Sequence, residues 1–290
     1  MTVANFIPTV WSKTILKFYN DEAVYAALCN RDYEGEIKNV GDTVKINSVG
    51  DPTIKSYTRN AGLGAVSEID APEILVGSQV VLQITEYDYW NYGVDDHDAL
   101  QANANMFAEA TRRTAINANL AIDDFVSALM TANVPAGNLL TAATSVGTGA
   151  TDDDAYEVLF DLNTKLTEAK VPAAGRFAVI PPWYQGSLQK DPRFVSFGTV
   201  ANNGRLTNGL GAGLSIAGME IHVSNLVPNN GTAYDVLAGV KDATAFANQF
   251  TNIEAFRPQG GFADAQKGQS VYGAKVIRPY ALAKVVCTAA

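Results

Sequence analysis

Positions Leu100, Ala104, Phe107, Thr111, Ala118, Ile122, Phe125 and Leu129 recur at spacings of three, four or their sums, which lays them along one face of a helix. The stretch that holds them, Asp95 to Asn133, contains no Gly or Pro. It opens with Asp95, Asp96 and Asp98, acids suited to the free amides and positive dipole end of a first helical turn. At ~1.5 Å per residue this predicts a helix roughly 55 Å long, longer than a compact core requires and suited to a spine crossing a flat subunit. A second helix is predicted from Val10 to about Cys29, where Trp11, Ile15, Phe18, Glu22, Tyr25 and Cys29 share a largely apolar stripe. Such a terminal segment either packs inside its own chain or serves as an arm laid on a neighbouring copy.

The period changes to two between Arg31 and Val94. Val44 and Ile46 alternate with Thr43, Lys45 and Asn47, and Val80, Leu82 and Ile84 share a face in Gln79–Tyr87, the pattern of two half-exposed strands. The intervening Gly50 to Pro72 is polar and punctuated by Gly and Pro. So long a hairpin with so thin an apolar face is marginal alone, and its stability is expected to come from another subunit. Beyond the spine, Pro135 to Thr151 reads as a small-residue link. Thr151-Asp152-Asp153-Asp154 has the form of a helix start, followed by a face of Tyr156, Leu159, Phe160, Asn163 and Leu166. Phe177–Ile180 reads as a buried strand, Pro182 as the start of a short helix, Gly198–Gly218 as a loop, and Glu220–Val223 and Asp235–Val240 as strands. Phe256–Gln269 reads as a further loop before a last strand or strand pair, Val271–Val286.

Three segments of this chain, RDYEGEIKNVGDTVKINSVGDPTI, YDYWNYGVDDHDALQANANMFAEATRR and SVYGAKVIRPYALAKV, resemble the major capsid proteins of tailed bacteriophages, the Hong Kong 97-type shell fold. The order of the elements carries the resemblance more than any single motif. It implies an α+β fold with an N-terminal arm (1–35), an extended β-hairpin loop (36–90), a peripheral domain with the spine helix (91–150), an axial domain (151–255) and a return to the peripheral domain (256–290). It also implies a subunit that assembles with itself, as hexamers and pentamers, into an icosahedral virion shell around DNA. Scaffold, portal and decoration proteins are its implied partners. The residues expected at inter-subunit contacts are Trp11, Ile15 and Phe18 in the arm and Lys45, Lys55, Tyr57 and Arg59 in the loop. Some members of this fold join subunits through a Lys–Asn bond, but no local pattern marks an Asn or Glu partner for Lys45 or Lys55, so no crosslink is assigned. A nanocompartment shell of the encapsulin kind, holding cargo enzymes, is the alternative within the same fold.

Composition narrows the field further. The 290 residues include 47% hydrophobic and 18% charged positions, enough for a sizeable core, and the net charge of −9 argues against holding nucleic acid by direct affinity. The first thirty residues lack the pattern of a secretion signal, and no run of eighteen apolar residues occurs, so synthesis in the host cytoplasm is expected. Cys29 and Cys287 belong to no metal-ligand pattern and read as reduced thiols. Asp95-Asp96-His97-Asp98 and Asp152-Asp153-Asp154 offer metal-ligand chemistry, but helix capping accounts for the acids, and no metal or cofactor is expected. Gly209–Gly213 fails the spacing of a phosphate cradle. Ser215 and His222 come nearest to a hydrolase pair, yet Ala217 stands where a nucleophile elbow needs its second Gly, and no catalytic residues are assigned.

Overall fold

The structure, a computed structural model, describes residues 24–32, 43–49, 52–56, 71–74, 77–95, 106–147, 152–190, 215–260 and 262–289. In chain order its elements are β1 (Thr43–Val49), β2 (Gly77–Gln83), β3 (Glu86–Asp95), α1 (Met106–Ala132), β4 (Leu139–Val146), α2 (Ala155–Glu168), β5 (Arg176–Ile180), α3 (Pro182–Lys190), β6 (Ser215–Ile216), β7 (Met219–Val223), β8 (Ala233–Val240), β9 (Thr244–Phe256), β10 (Ala263–Val276) and β11 (Leu282–Ala289). They form a two-stranded ribbon β1-β2, a three-stranded sheet β3-β10-β9 and a six-stranded sheet β4-β11-β8-β5-β7-β6.

The spine is present as α1, whose 27 residues measure about 40 Å. Asp95 does not start it: that residue ends β3, and Asp96, His97, Asp98, Leu100 and Ala104 lie outside the described residues. The buried stripe is also turned from the expected one. Ala115, Ile122, Val126 and Met130 form its apolar line, with Thr111, Asn119, Asp123, Ser127 and Thr131 buried beside them, while Ala118, Phe125 and Leu129 sit at its margin. The polar residues of this face have partners of different kinds: Ser127 and Thr131 donate to the Asp124 and Ser127 carbonyls of the helix itself, at 2.9 and 2.7 Å, and Thr111 meets the sheet beneath. Tyr92 on β3 meets both Thr111 Oγ1 (3.1 Å) and Gln266 of β10, and the Tyr272 hydroxyl donates to Asp88 at 2.7 Å.

The predicted hairpin is the ribbon β1-β2, antiparallel, with Val44 opposite Leu82 and Ile46 opposite Val80. Two expectations change here. The strand expected to run on to Tyr87 stops at Gln83, and Glu86 opens β3 in a different sheet. The base of the hairpin also finds an apolar support within its own chain, where Val44, Ile46, Leu82 and Ile84 bury against Ala245, Ala247 and Val271. Gly273 permits this approach: a Cβ there would stand 2.5 Å from the Gln83 carbonyl oxygen and 2.8 Å from Ile84 Cα.

The end of the predicted N-terminal helix, Ala26–Leu28, is a single 3-10 turn followed by extended backbone at Cys29. Tyr25, Leu28 and Cys29 are buried in the main core of their own chain. Residues 10–23 of that predicted helix, with Trp11, Ile15 and Phe18, lie outside the described residues.

Around the six-stranded sheet, the buried β5 and the start of α3 at Pro182 follow the sequence pattern. Helix α2 is capped by Asp154, not Thr151: the Asp154 carboxylate accepts from Tyr156 N at 2.9 Å. Its buried face is Ala155, Val158, Leu159, Leu162 and Leu166, leaving Phe160 exposed. Part of the supposed link is β4, which runs parallel to β11; Asn138 fixes its start by donating from Nδ2 to the Tyr280 and Leu282 carbonyls, each at 2.8 Å. The supposed loop Phe256–Gln269 is mostly strand, since β9 reaches Phe256 and β10 begins at Ala263. These pairings cross the expected boundary at residue 255: β9 belongs with β3 and β10, whereas β11 joins the sheet of β4, β5 and β8. One apolar core runs through both, from Ile122, Val126 and Met130 of α1 to Leu159, Phe177, Leu237 and Val285.

Candidate inter-subunit surfaces

Beyond its anchored base, the hairpin extends as two arms joined by polar contacts. Thr53 donates from its backbone N and its Oγ1 to the Glu73 carboxylate, both at 3.1 Å. Beside this clasp Ile54 is 97% exposed and Ile74 88%. Alternation explains the base: with Val44 and Ile46 turned inward, Lys45 and Asn47 must face water, and Gln79 Nε2 donates across the ribbon to Asn47 at 2.9 Å. Of the residues expected at contacts, the structure places Lys45 on this exposed ribbon face and Lys55 in the exposed arm beside Ile54. The others, Trp11, Ile15, Phe18, Tyr57 and Arg59, lie outside the described residues.

A second open surface escaped the sequence reading. The face of β3-β10-β9 turned away from α1 carries Tyr87 and the 82% exposed Tyr89. Lys267 lies 3.0 Å from Glu254 and over the Phe256 ring at 5.0 Å. An open cleft of about 370 Å³ on this sheet is lined by Tyr89, Trp90, Asn91, Glu254, Lys267, Gly268 and Gln269. The sequence signal was available in the alternation of Tyr87, Tyr89 and Asn91, but the split between β2 and β3 hid it.

Among the described residues, those with catalytic potential are not assembled into a site. Ser215 pairs with Glu220 in the β6-β7 register, which places His222 two residues further along. The nearest ionic partner of His222 Nε2 is Glu220 Oε1 at 3.7 Å, and Nε2 makes no hydrogen bond among the described residues. Burial, more than the opposing pull of Glu220, lowers the imidazole pKa from its ordinary value. Of the acidic run Asp152–Asp154, Asp154 is spent on its cap and Asp152 accepts from Ser145 Oγ at 3.3 Å. No group of three or more His, Cys, Asp or Glu capable of holding a metal occurs among the described residues. Both cysteines are buried free thiols; burial pushes Cys287 up to about 12 and raises Cys29 as well.

A three-stranded sheet under a long helix, a second sheet with its own helices and a hairpin thrown outward define an α+β shell subunit. Residues 91–285 match the family profile described as phage capsid protein. Among solved structures, the chain is similar to one from Mycobacterium phage Che8 at 28% identity and TM-score 0.72, covering 92% of this chain and 91% of that one. It also resembles the capsid structure of the cyanophage P-SCSP1u (14% identity, TM-score 0.65, 88% and 85% covered). A virus-like particle from Pyrococcus furiosus is similar in fold (13% identity, TM-score 0.56, 98% and 100% covered). No curated protein matches the chain. The chain belongs to the phage capsid protein family, as a structural protein of the major capsid type. Its fold is the α+β capsid fold that the sequence resemblance implied.

Proposed function

We propose that many copies of this chain close into the icosahedral shell of a tailed phage virion, as hexamers and pentamers, with the hairpin arm lying on a neighbouring subunit. The observation that carries this reading is the division of the hairpin: its base is buried on its own chain, while Ile54 and Ile74 stand in water beside a polar clasp. Two large aliphatic side chains held out on a braced arm suit burial on another molecule. Spreading contacts over arm and hairpin lets individually weak interfaces add through multivalency while a single subunit stays soluble. The shell encloses DNA without specific binding, consistent with a net charge of −9. It uses no catalytic residue or cofactor. Scaffold, portal and decoration proteins act as partners, and synthesis is in the host cytoplasm.

Purified chain, alone or with its scaffold, is expected to give closed particles or rings in the megadalton range by negative-stain microscopy. A uniform species of about 31 kDa at every salt and concentration tried, with scaffold present, would overturn the shell reading. A nanocompartment shell of the same fold is the weaker second reading. Particles purified from the native source distinguish the two, with packaged DNA for the first and a cargo enzyme for the second.

A further inference from the structure

The segment Val24–Asn30 is tied to the body at two places by different means. At Asn30 the tie is sheet-like: Asn30 N donates to the Thr244 carbonyl and Phe246 N donates to the Asn30 carbonyl, both at 2.9 Å. At Val24 it is a single side chain. The Val24 and Ala26 amides donate to Asp123 Oδ2 and Oδ1 at 2.8 and 3.3 Å. Asp123 lies in the middle of α1, 3% exposed, between the apolar core residues Ile122 and Val126. A carboxylate on the buried face of a helix carries a desolvation cost that an apolar residue would not. Both of its oxygens are directed to the backbone of a segment about a hundred residues away in sequence.

We infer that Asp123 is a latch: a carboxylate on the spine helix that fixes the turn at Val24–Ala26, and so the point from which the preceding 23 residues of sequence are connected, without being needed for the fold of the body. The turn has little else of this kind. It is one 3-10 turn with no side-chain cap of its own, and the Cys29 thiol adds only a local bond to the Tyr25 carbonyl at 3.3 Å. Buried side chains of Tyr25 and Leu28 hold the turn near the core, while the two amide bonds set its orientation. The latch joins the N-terminal segment to α1, while the Asn30 pairing joins it to β9. This inference does not rest on the shell reading.

Amide hydrogen exchange on the purified full chain, compared among wild type, Asp123→Asn and Asp123→Ala in one assembly state, tests it. The expected result is exchange at least tenfold faster over residues 24–29 in Asp123→Ala with β5 and β8 unchanged. Asp123→Asn, which keeps one acceptor and the side-chain volume, should fall between. Unchanged exchange at 24–29 would show that apolar burial alone holds the turn and would overturn the latch. An equal acceleration across β5 and β8 would overturn it too, by making Asp123 a general core residue. If Asp123→Ala does not fold, Asp123→Asn against wild type decides between the same outcomes.

Discussion

Arg176 shows how one charged side chain can be buried without a carboxylate. Only 4% exposed, it opens β5 and spreads its guanidinium over acceptors at the end of α2 and just beyond. Its Nε donates to the Pro172 carbonyl at 2.9 Å, and its Nη1 to the Asn163 carbonyl at 3.2 Å and Thr167 Oγ1 at 2.9 Å; the Asn163 side chain and the Val171 carbonyl complete the set. Helix ends leave carbonyls unsatisfied, and the planar fork of an arginine can reach several of them. Arg176→Met is expected to lower the unfolding free energy by about 3 kcal/mol, read from urea denaturation, since it orphans several buried acceptors. Arg176→Lys should recover only part of this.

Asp123 makes an opposite prediction in sign. Burial raises its pKa above the ordinary carboxylate value, against the lowering effect of the Val24 and Ala26 amides. The groups around it are the Tyr25 hydroxyl and Cys29 thiol, both raised mainly by burial and neutral below pH 8, and Arg31, which acts on Cys29. A folded-state pKa above the unfolded one means that the folded protein takes up the proton first. The group therefore contributes stability at low pH that is lost as pH rises through its folded pKa. Wild type should gain stability relative to Asp123→Asn as pH falls from neutral towards the ordinary Asp value, measured by denaturation at each pH. A gap that stays constant or narrows would contradict the raised pKa.

At the scale of elements, the hairpin separates folding from assembly. Deleting Gly50–Pro72 and rejoining the strands leaves Val44, Ile46, Leu82 and Ile84 on their platform of Ala245, Ala247 and Val271. Thermal unfolding of the free subunit should shift little, while particle formation fails or is badly weakened. If the deletion unfolds the subunit, the tip belongs to the core. The converse change is Gly273→Ala, which drives a methyl into the backbone of Gln83 and Ile84. Backbone cannot rotate aside as a side chain can, so a loss of about 2 kcal/mol is expected in denaturation, with faster exchange of the β1-β2 amides.

For the whole molecule the governing quantity is charge. Identical subunits carrying a formal −9 repel as they close, and this repulsion is screened over ~10 Å at 0.1 M salt. If apolar groups such as Ile54 and Ile74 carry the contacts, moderate salt promotes assembly, because their burial survives screening. Light scattering between about 0.05 and 0.5 M NaCl reads this directly. Particles that dissolve steadily as salt rises would place ion pairs at the interface instead.

The sequence by itself determined elements whose side-chain period is strong and local. These include the α1 helix, the Val44/Ile46 and Val80/Leu82 faces of the hairpin, the buried run Phe177–Ile180 and the helix start at Pro182; the order of the segments was enough to mark the capsid resemblance. The tertiary structure decided what depends on partners distant in sequence. Strand β9 was invisible because the positions it turns to the hairpin, Ala245 and Ala247, are small, and they act as core only once the hairpin and Val271 meet them. Strand β4 looked like a link because its register is supplied by β11, well over a hundred residues further on. The turn of the α1 stripe towards Asn119 and Asp123 had no sequence signal, since hydrophobic periodicity counts a buried carboxylate as exposed. Only the folded chain supplies the two backbone amides that make Asp123 tolerable there.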